Sequence, residues 1–310
     1  MKTTDVKTCV RDYLKHCNHQ KQLNNKTLKA YEIDLRQYLS YVGNKNEPLS
    51  RLCLLDYIAH LHETFQPKTA KRKIACLKAF CAWLEYEELL IENPFQKIQT
   101  KFREPFHLPR TIPIEQIQLL LNAVYTERTR ARTQYQRMVL LRDAAVLELL
   151  FATGVRVSEL CSLRLENVNL AEGFIKIYGK GAKERLIQIG NADVLAALQV
   201  YRNAYAEQIK QQGWFFINRL GGCLSEESVR GIIRKHADAC GLILHITPHM
   251  FRHSFATLLL EEDVDIRYIQ KMLGHSSIVT TQIYTHVTAK KQKDILTTKH
   301  PRNRLIINPR

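Results

Sequence analysis

The chain has 310 residues, 45% of them apolar and 25% charged, enough apolar material for about two globular domains and too much for a disordered polymer. It holds no uncharged apolar run near the ~18 residues of a membrane span, and its N-terminus lacks a signal peptide's apolar core, so it reads as cytosolic. Forty-six Lys and Arg against thirty Asp and Glu leave a net charge of +16, which favours a polyanionic partner, nucleic acid ahead of an anionic membrane surface. Residues 1–93 read as helices. Leu28, Tyr31, Leu35, Tyr38, Leu39 and Val42 recur at helical spacing before a capping Gly43, and a second helix spans about 52–62. Pro67 opens a third, carried by Ile74, Leu77, Ala79, Phe80 and Leu84 to an ENP stop at 92–94.

A proline-rich stretch follows, with Pro94, Pro105, Pro109 and Pro113 and no sustained periodicity, so domains are expected at 1–95 and 114–296 around a linker at 96–113. Helical patterns resume at about 114–125 and 139–152. Between them lies TERTRARTQYQRM, with Arg128, Arg130, Arg132 and Arg137, which reads as either a DNA-contacting insertion or a charged surface loop. FIKIYGKGAKERLIQIG alternates on both sides of GKGA and reads as a hairpin over 174–189. Helices are expected near 191–210, 225–240, 248–261, 265–273 and 277–285.

The eight cysteines form no C-x-x-C pair and read as reduced core residues rather than a zinc or redox module. Neither a dinucleotide-binding glycine fingerprint nor a P-loop is present, so neither a metal nor a nucleotide cofactor is expected. In QPKTAKRKIACLKAF, Lys68, Lys71, Arg72 and Lys73 crowd the start of a helix, where the dipole favours anions. The cluster is therefore either a phosphate-binding surface or a solvated charged turn.

Four further segments carry candidate chemistry: ATGVRVSEL around Arg156, TPHMFRHSFAT around His249 and Arg252, LGHSS around His275 and TTQIYTHV around Tyr284. The spacing His249-x-x-Arg252 puts two anion-binding side chains on one helical face, and Glu159 can face Arg156 in the same way. Singly, each has an ordinary structural reading as an ion pair or a packed aromatic.

Together and in this order, Arg156, Lys180, His249, Arg252, His275 and Tyr284 closely resemble the constellation of the tyrosine recombinase (phage integrase) family, Xer-type members in particular. The resemblance runs from the N-terminal helices through HLPR to the closing KHPRN. It implies a mainly α fold: an N-terminal helical, SAM-like core-binding domain and a mainly helical catalytic domain with a small β-sheet, forming a C-shaped clamp on DNA. It also implies roles. Arg156 and Arg252 would grip the nonbridging oxygens of the scissile phosphate, and Tyr284 would attack it to form a 3′-phosphotyrosyl bond. His249 would take a proton or hold an oxygen, His275 would contact the phosphate, and Lys180, with Lys183 as the alternative, would protonate the leaving 5′-oxygen. Glu159 would support this framework or be an ordinary surface carboxylate. Lys68, Lys71, Arg72, Lys73, Lys183 and Arg185 would contact DNA.

The expected partners are double-stranded DNA bearing an inverted-repeat site, three further protomers, identical or related, in a tetramer, and accessory DNA-bending or regulatory proteins. The basic 297–310 tail, with Leu305, Ile306 and Ile307, would reach a neighbouring protomer or stay solvated. The reaction would pass through a Holliday junction and serve either chromosome-dimer resolution or integration and excision of a mobile element. A catalytically silent DNA-binding module and a type IB topoisomerase are the alternatives.

Overall fold

A computed structural model describes residues 3–100, 110–179 and 184–274. Lys180, Lys183, His275, Tyr284, the helix expected at 277–285 and the 297–310 tail lie outside the described residues. The chain divides into two compact units, Met1–Phe106 and His107–Arg310.

The first unit holds four helices: α1 (Thr3–His19), α2 (Asn25–Val42), α3 (Arg51–Thr64) and α4 (Pro67–Tyr86). Their starts follow local chemistry. The Asn24 side chain accepts the Thr27 N–H (2.8 Å), the Ser50 hydroxyl accepts the Cys53 N–H (3.3 Å), and Pro67 takes a first-turn position where no N–H is needed. Gly43, at φ 53°, closes α2 by donating to the Leu39 carbonyl. Tyr13, Tyr38, Phe80, Leu54, Leu61, Leu77 and Leu84 fill the core, with the Tyr13 ring 5.3 Å from those of Phe80 and Trp83. Cys9, Cys17, Cys53, Cys76 and Cys81 are buried free thiols, and burial pushes Cys76 and Cys81 up to about 12, which keeps them protonated and inert.

Two expectations for this unit are corrected. Lys73 is not a surface cation: it is 3% exposed, lies 2.9 Å from the equally buried Asp34, and donates to Gln37. Arg72 shares the same carboxylate, while Lys68 and Lys71 of that basic group are exposed. Moreover, α4 stops at Tyr86, before the ENP signal, because Glu88 adopts a left-handed φ of 58° and the Leu89 N–H returns to the Leu84 carbonyl (2.9 Å). A non-glycine residue at that position leaves no sequence mark. Asn93 then caps a short 3-10 turn, Pro94–Lys97.

Phe95, at the end of the expected first domain, and Ile98, in the stretch expected as linker, are buried in the first unit's core. Ile112 is buried in the second, where its N–H donates to the Ser254 hydroxyl (2.7 Å). There α5 (Ile114–Thr129) leads to α6 (Gln134–Thr153), a nearly all-round buried helix that packs on α5 and on α8 (Ala192–Ala204). The Arg-rich segment between them is largely helical, with α5 running to Thr129 and α6 beginning at Gln134. Thr133 and Gln136 form a reciprocal capping box that starts α6 five residues before its apolar pattern shows.

After α7 (Val157–Cys161) comes an antiparallel sheet of β1 (Val168–Asn169), β2 (Phe174–Tyr178) and β3 (Glu184–Gln188), in that order, with Ile175 opposite Ile187 and Ile177 opposite Arg185. Helices α9 (Ala206–Gln212), α10 (Glu226–Ala239), α11 (Pro248–Glu261) and α12 (Ile266–Leu273) complete the unit. The fold is thus mainly α with one small sheet. No helix among the described residues is long and apolar enough to cross a membrane.

The Asp34–Lys73 pair should behave as a buried ion pair. Asp34→Ala strands the Lys73 ammonium and should cost about 3–5 kcal/mol in urea unfolding, while Asp34→Leu with Lys73→Met should recover most of that loss. Equal stability of the single and double variants would contradict this.

Candidate active site

The geometry begins at the end of α6. Gly154, at φ 58°, turns the chain out of the helix, and a Cβ there would lie 2.7 Å from the Phe255 ring, so glycine is required both by conformation and by space. Two residues later Arg156 caps α7. Its N–H donates to Glu159 Oε2 and its Nη1 to Oε1, both at 2.8 Å, the contact that i, i+3 spacing allows. The Arg156 side chain remains 37% exposed, so part of the guanidinium is open.

Glu159 is no surface carboxylate. It is 6% exposed and also accepts a fork from Arg185 of β3, Nη1 to Oε1 at 3.0 Å and Nη2 to Oε2 at 2.7 Å. Burial alone would raise its pKa, but the hydrogen bonds from Arg185 and from the Arg156 N–H, with the Arg185 charge, outweigh burial and hold it below the usual carboxylate range. The Arg185 side chain is itself only 11% exposed and its Nε donates to the Met272 carbonyl (2.9 Å). Where the sequence suggested a DNA contact, the Arg185 guanidinium thus hydrogen-bonds within the protein, to Glu159 and to the end of α12.

From α11 comes the second arginine of the sequence motif. Pro248 occupies the first turn, His249 beside it is exposed, and Arg252, one turn on, is 4% exposed. Arg252 Nη1 donates to the Gly154 carbonyl (2.8 Å) and Nη2 to that of Leu273 (2.6 Å), the last residue of α12. Arg156, Glu159, Arg185 and Arg252 are thus drawn from three elements, α7 with its cap, β3 and α11, to the α6–α7 junction and the end of α12. Among the described residues no group of three or more His, Cys, Asp or Glu side chains is placed to hold a metal ion.

His253, next to Arg252 in the motif but given no role from sequence, is half-buried. Burial first, and then the neighbouring His249 and Arg252, lower its pKa to about 4, so it is neutral at pH 7. The pattern R-H-S was visible in the sequence; the packing that desolvates the imidazole was not.

Known proteins resemble the chain over nearly its whole length. Residues 111–291 match the phage integrase family and residues 10–88 match the phage integrase N-terminal SAM-like domain. A tyrosine recombinase of Agathobacter rectalis is 52% identical over 299 residues, covering 96% of this chain and 98% of that protein. Tyrosine recombinase XerD of Halalkalibacterium halodurans is 35% identical over 305 residues, with 96% and 99% covered. The crystal structure of the XerH site-specific recombinase bound to palindromic difH substrate aligns at a TM-score of 0.73 and 20% identity, over 92% of this chain and 83% of that one.

The lowered pKa of His253 has a consequence for stability. The unfolded chain takes up the imidazole proton near pH 6.5 and the folded chain only near 4, so acid favours unfolding within that window. Stability present above pH 6.5 should fall by on the order of 2–3 kcal/mol as pH drops towards 4. Thermal unfolding of His253→Asn against the parent across pH 4–7 should show a shallower acid loss, and parallel curves would refute the assignment.

Proposed function

The chain belongs to the phage integrase family and is a site-specific tyrosine recombinase, and from that premise we propose how its residues divide the chemistry. The observation that carries the reading is the convergence of Arg156 and Arg252 on one junction, each oriented by acceptors on the protein: Glu159 for Arg156, and the Gly154 and Leu273 carbonyls for Arg252. Attack on a phosphodiester concentrates negative charge on its nonbridging oxygens. Guanidinium groups already fixed by neighbours lower the energy of that state without reorganising, and they stay charged at any working pH.

Tyr284 is proposed as the nucleophile. Its oxygen bonds to the scissile phosphorus, the bond to the 5′-oxygen breaks, and Lys180, or Lys183 in the same hairpin, gives that oxygen a proton. A free phenol titrates near 10, so the step requires a proton acceptor or a strongly positive site. His249, exposed on the first turn of α11, is proposed for the first role and the two arginines supply the second. His275 would hold the phosphate. The phosphotyrosyl ester conserves the energy of the broken bond, so a 5′-hydroxyl from the other duplex can reverse the step and complete the exchange with no nucleotide input. Two such exchanges pass through a Holliday junction.

The substrate is proposed to be double-stranded DNA with an inverted-repeat site, bound by a tetramer of identical or related protomers through contacts that include Lys68 and Lys71. Accessory DNA-bending or regulatory proteins would set the direction, and the 297–310 tail would make the contact between protomers. Most of the affinity would come from phosphates. A silent DNA-binding module would have lost members of the constellation, whereas all six of its positions are occupied by competent residues.

Cells expressing the chain should yield protein covalently bound to DNA after denaturation, at one short inverted-repeat sequence, and Tyr284→Phe should abolish the adduct. Capture at a chromosomal site would identify dimer resolution, and capture at element ends would identify integration or excision. Scattered adducts with rapid relaxation of any plasmid would instead identify a topoisomerase. Arg156→Lys, at a half-exposed site, should lower adduct formation about 100-fold with little change in thermal midpoint. Binding should weaken linearly in log–log form with added salt.

A further inference from the structure

Arg185 lies on the buried side of the sheet. Its β2 partner Ile177 is 2% exposed, as is Ile187 two residues along β3, whereas Leu186 between them is 59% exposed. A guanidinium at such a register position is costly to desolvate unless its donors are matched. They are matched by three acceptors on two other elements: both oxygens of Glu159 in α7 and the Met272 carbonyl at the end of α12.

The end of α12 is shaped around this side chain. Gly274 sits at φ 66°, and a Cβ there would lie 3.0 Å from Arg185 Nη1 and 3.1 Å from its Cδ, so the residue that closes the helix also leaves room for the guanidinium. The next carbonyl along from Met272, that of Leu273, is taken by Arg252 (2.6 Å). Two arginines from different elements thus satisfy consecutive orphan carbonyls at a helix C-terminus, where the dipole favours cations. Along the chain, β3 follows directly on residues 180–183, which include Lys180 and Lys183, and α12 ends two residues before His275.

We propose that Arg185 is a positioning residue for strand cleavage: it ties β3 and the end of α12, the elements that adjoin residues 180–183 and 275–284 along the chain, to the carboxylate that orients Arg156. The inference rests on the roles proposed above for those residues. Arg185 acts through Glu159 and Met272 and does not bind phosphate. Lysine cannot replace it, because a single ammonium on a flexible stem cannot fork onto a carboxylate and reach a carbonyl on another element at once.

The test compares full-length Arg185→Lys and Arg185→Gln with the parent, using as probe the duplex recovered from Tyr284-dependent adducts. DNA affinity should stay within about threefold, while single-turnover adduct formation at saturating DNA should fall 10–100-fold in both variants. Without DNA, hydrogen exchange should quicken at least tenfold over 184–188 and 268–274 and stay unchanged in α6. Affinity lost with saturated cleavage intact would overturn the proposal in favour of a direct phosphate contact. Wild-type cleavage at saturation, restoration by lysine, or unchanged exchange would overturn it as well. Failure of the parent chain to form any Tyr284-dependent adduct would instead sink the underlying reading, and the exchange measurement would still decide whether Arg185 holds the two segments.

Discussion

The second unit depends on one buried carboxylate. Glu159 receives hydrogen bonds from the Arg156 backbone, the Arg156 guanidinium and the Arg185 fork, and through them a short helix, a strand and the end of α12 are held in register. The arrangement is stable only if complete. A carboxylate at 6% exposure without its cations would be driven to protonate, and either arginine without the carboxylate would be a partly desolvated charge. Interdependence of this kind gives the site its rigidity: no member can shift without stranding another.

The same logic explains where the excess positive charge is spent. Of the basic side chains, Lys73, Arg185 and Arg252 are largely or fully buried, and each meets acceptors inside its own unit. They stabilise the frame rather than attract a polyanion. The charge that remains for a nucleic-acid partner sits on side chains such as Lys68 and Lys71, and on the open part of Arg156. A net charge of +16 therefore overstates the electrostatic surface, because it counts framework cations together with exposed ones.

Much of the architecture was legible because it is written in local terms. The 3.6-residue period and Gly43 marked α2, the alternation around GKGA marked β2 and β3, and Pro67 and Pro248 marked helix starts. The misreadings share a cause. The end of α4 rests on a left-handed Glu88, a conformation its residue type does not advertise. The Arg-rich segment hid a helix start in a Thr133–Gln136 capping box whose apolar face begins only later. Lys73 and Arg185 were read by charge as surface residues, and each was claimed by a carboxylate distant in sequence, Asp34 and Glu159.

What the sequence by itself determined was the mainly α class, the hairpin, the Arg156–Glu159 pairing and the ordered constellation that identifies the family. Periodicity, capping and i, i+3 spacing all operate within a few residues, so these features are properties of the string. Only the tertiary structure decided that Arg252 grips the Gly154 and Leu273 carbonyls, that the Arg185 fork meets Glu159, and that burial lowers the pKa of His253. Each depends on which segments of the chain are packed together and how much water that packing excludes, and long-range burial sets the energy of a charge far more than the identity of its neighbours in sequence.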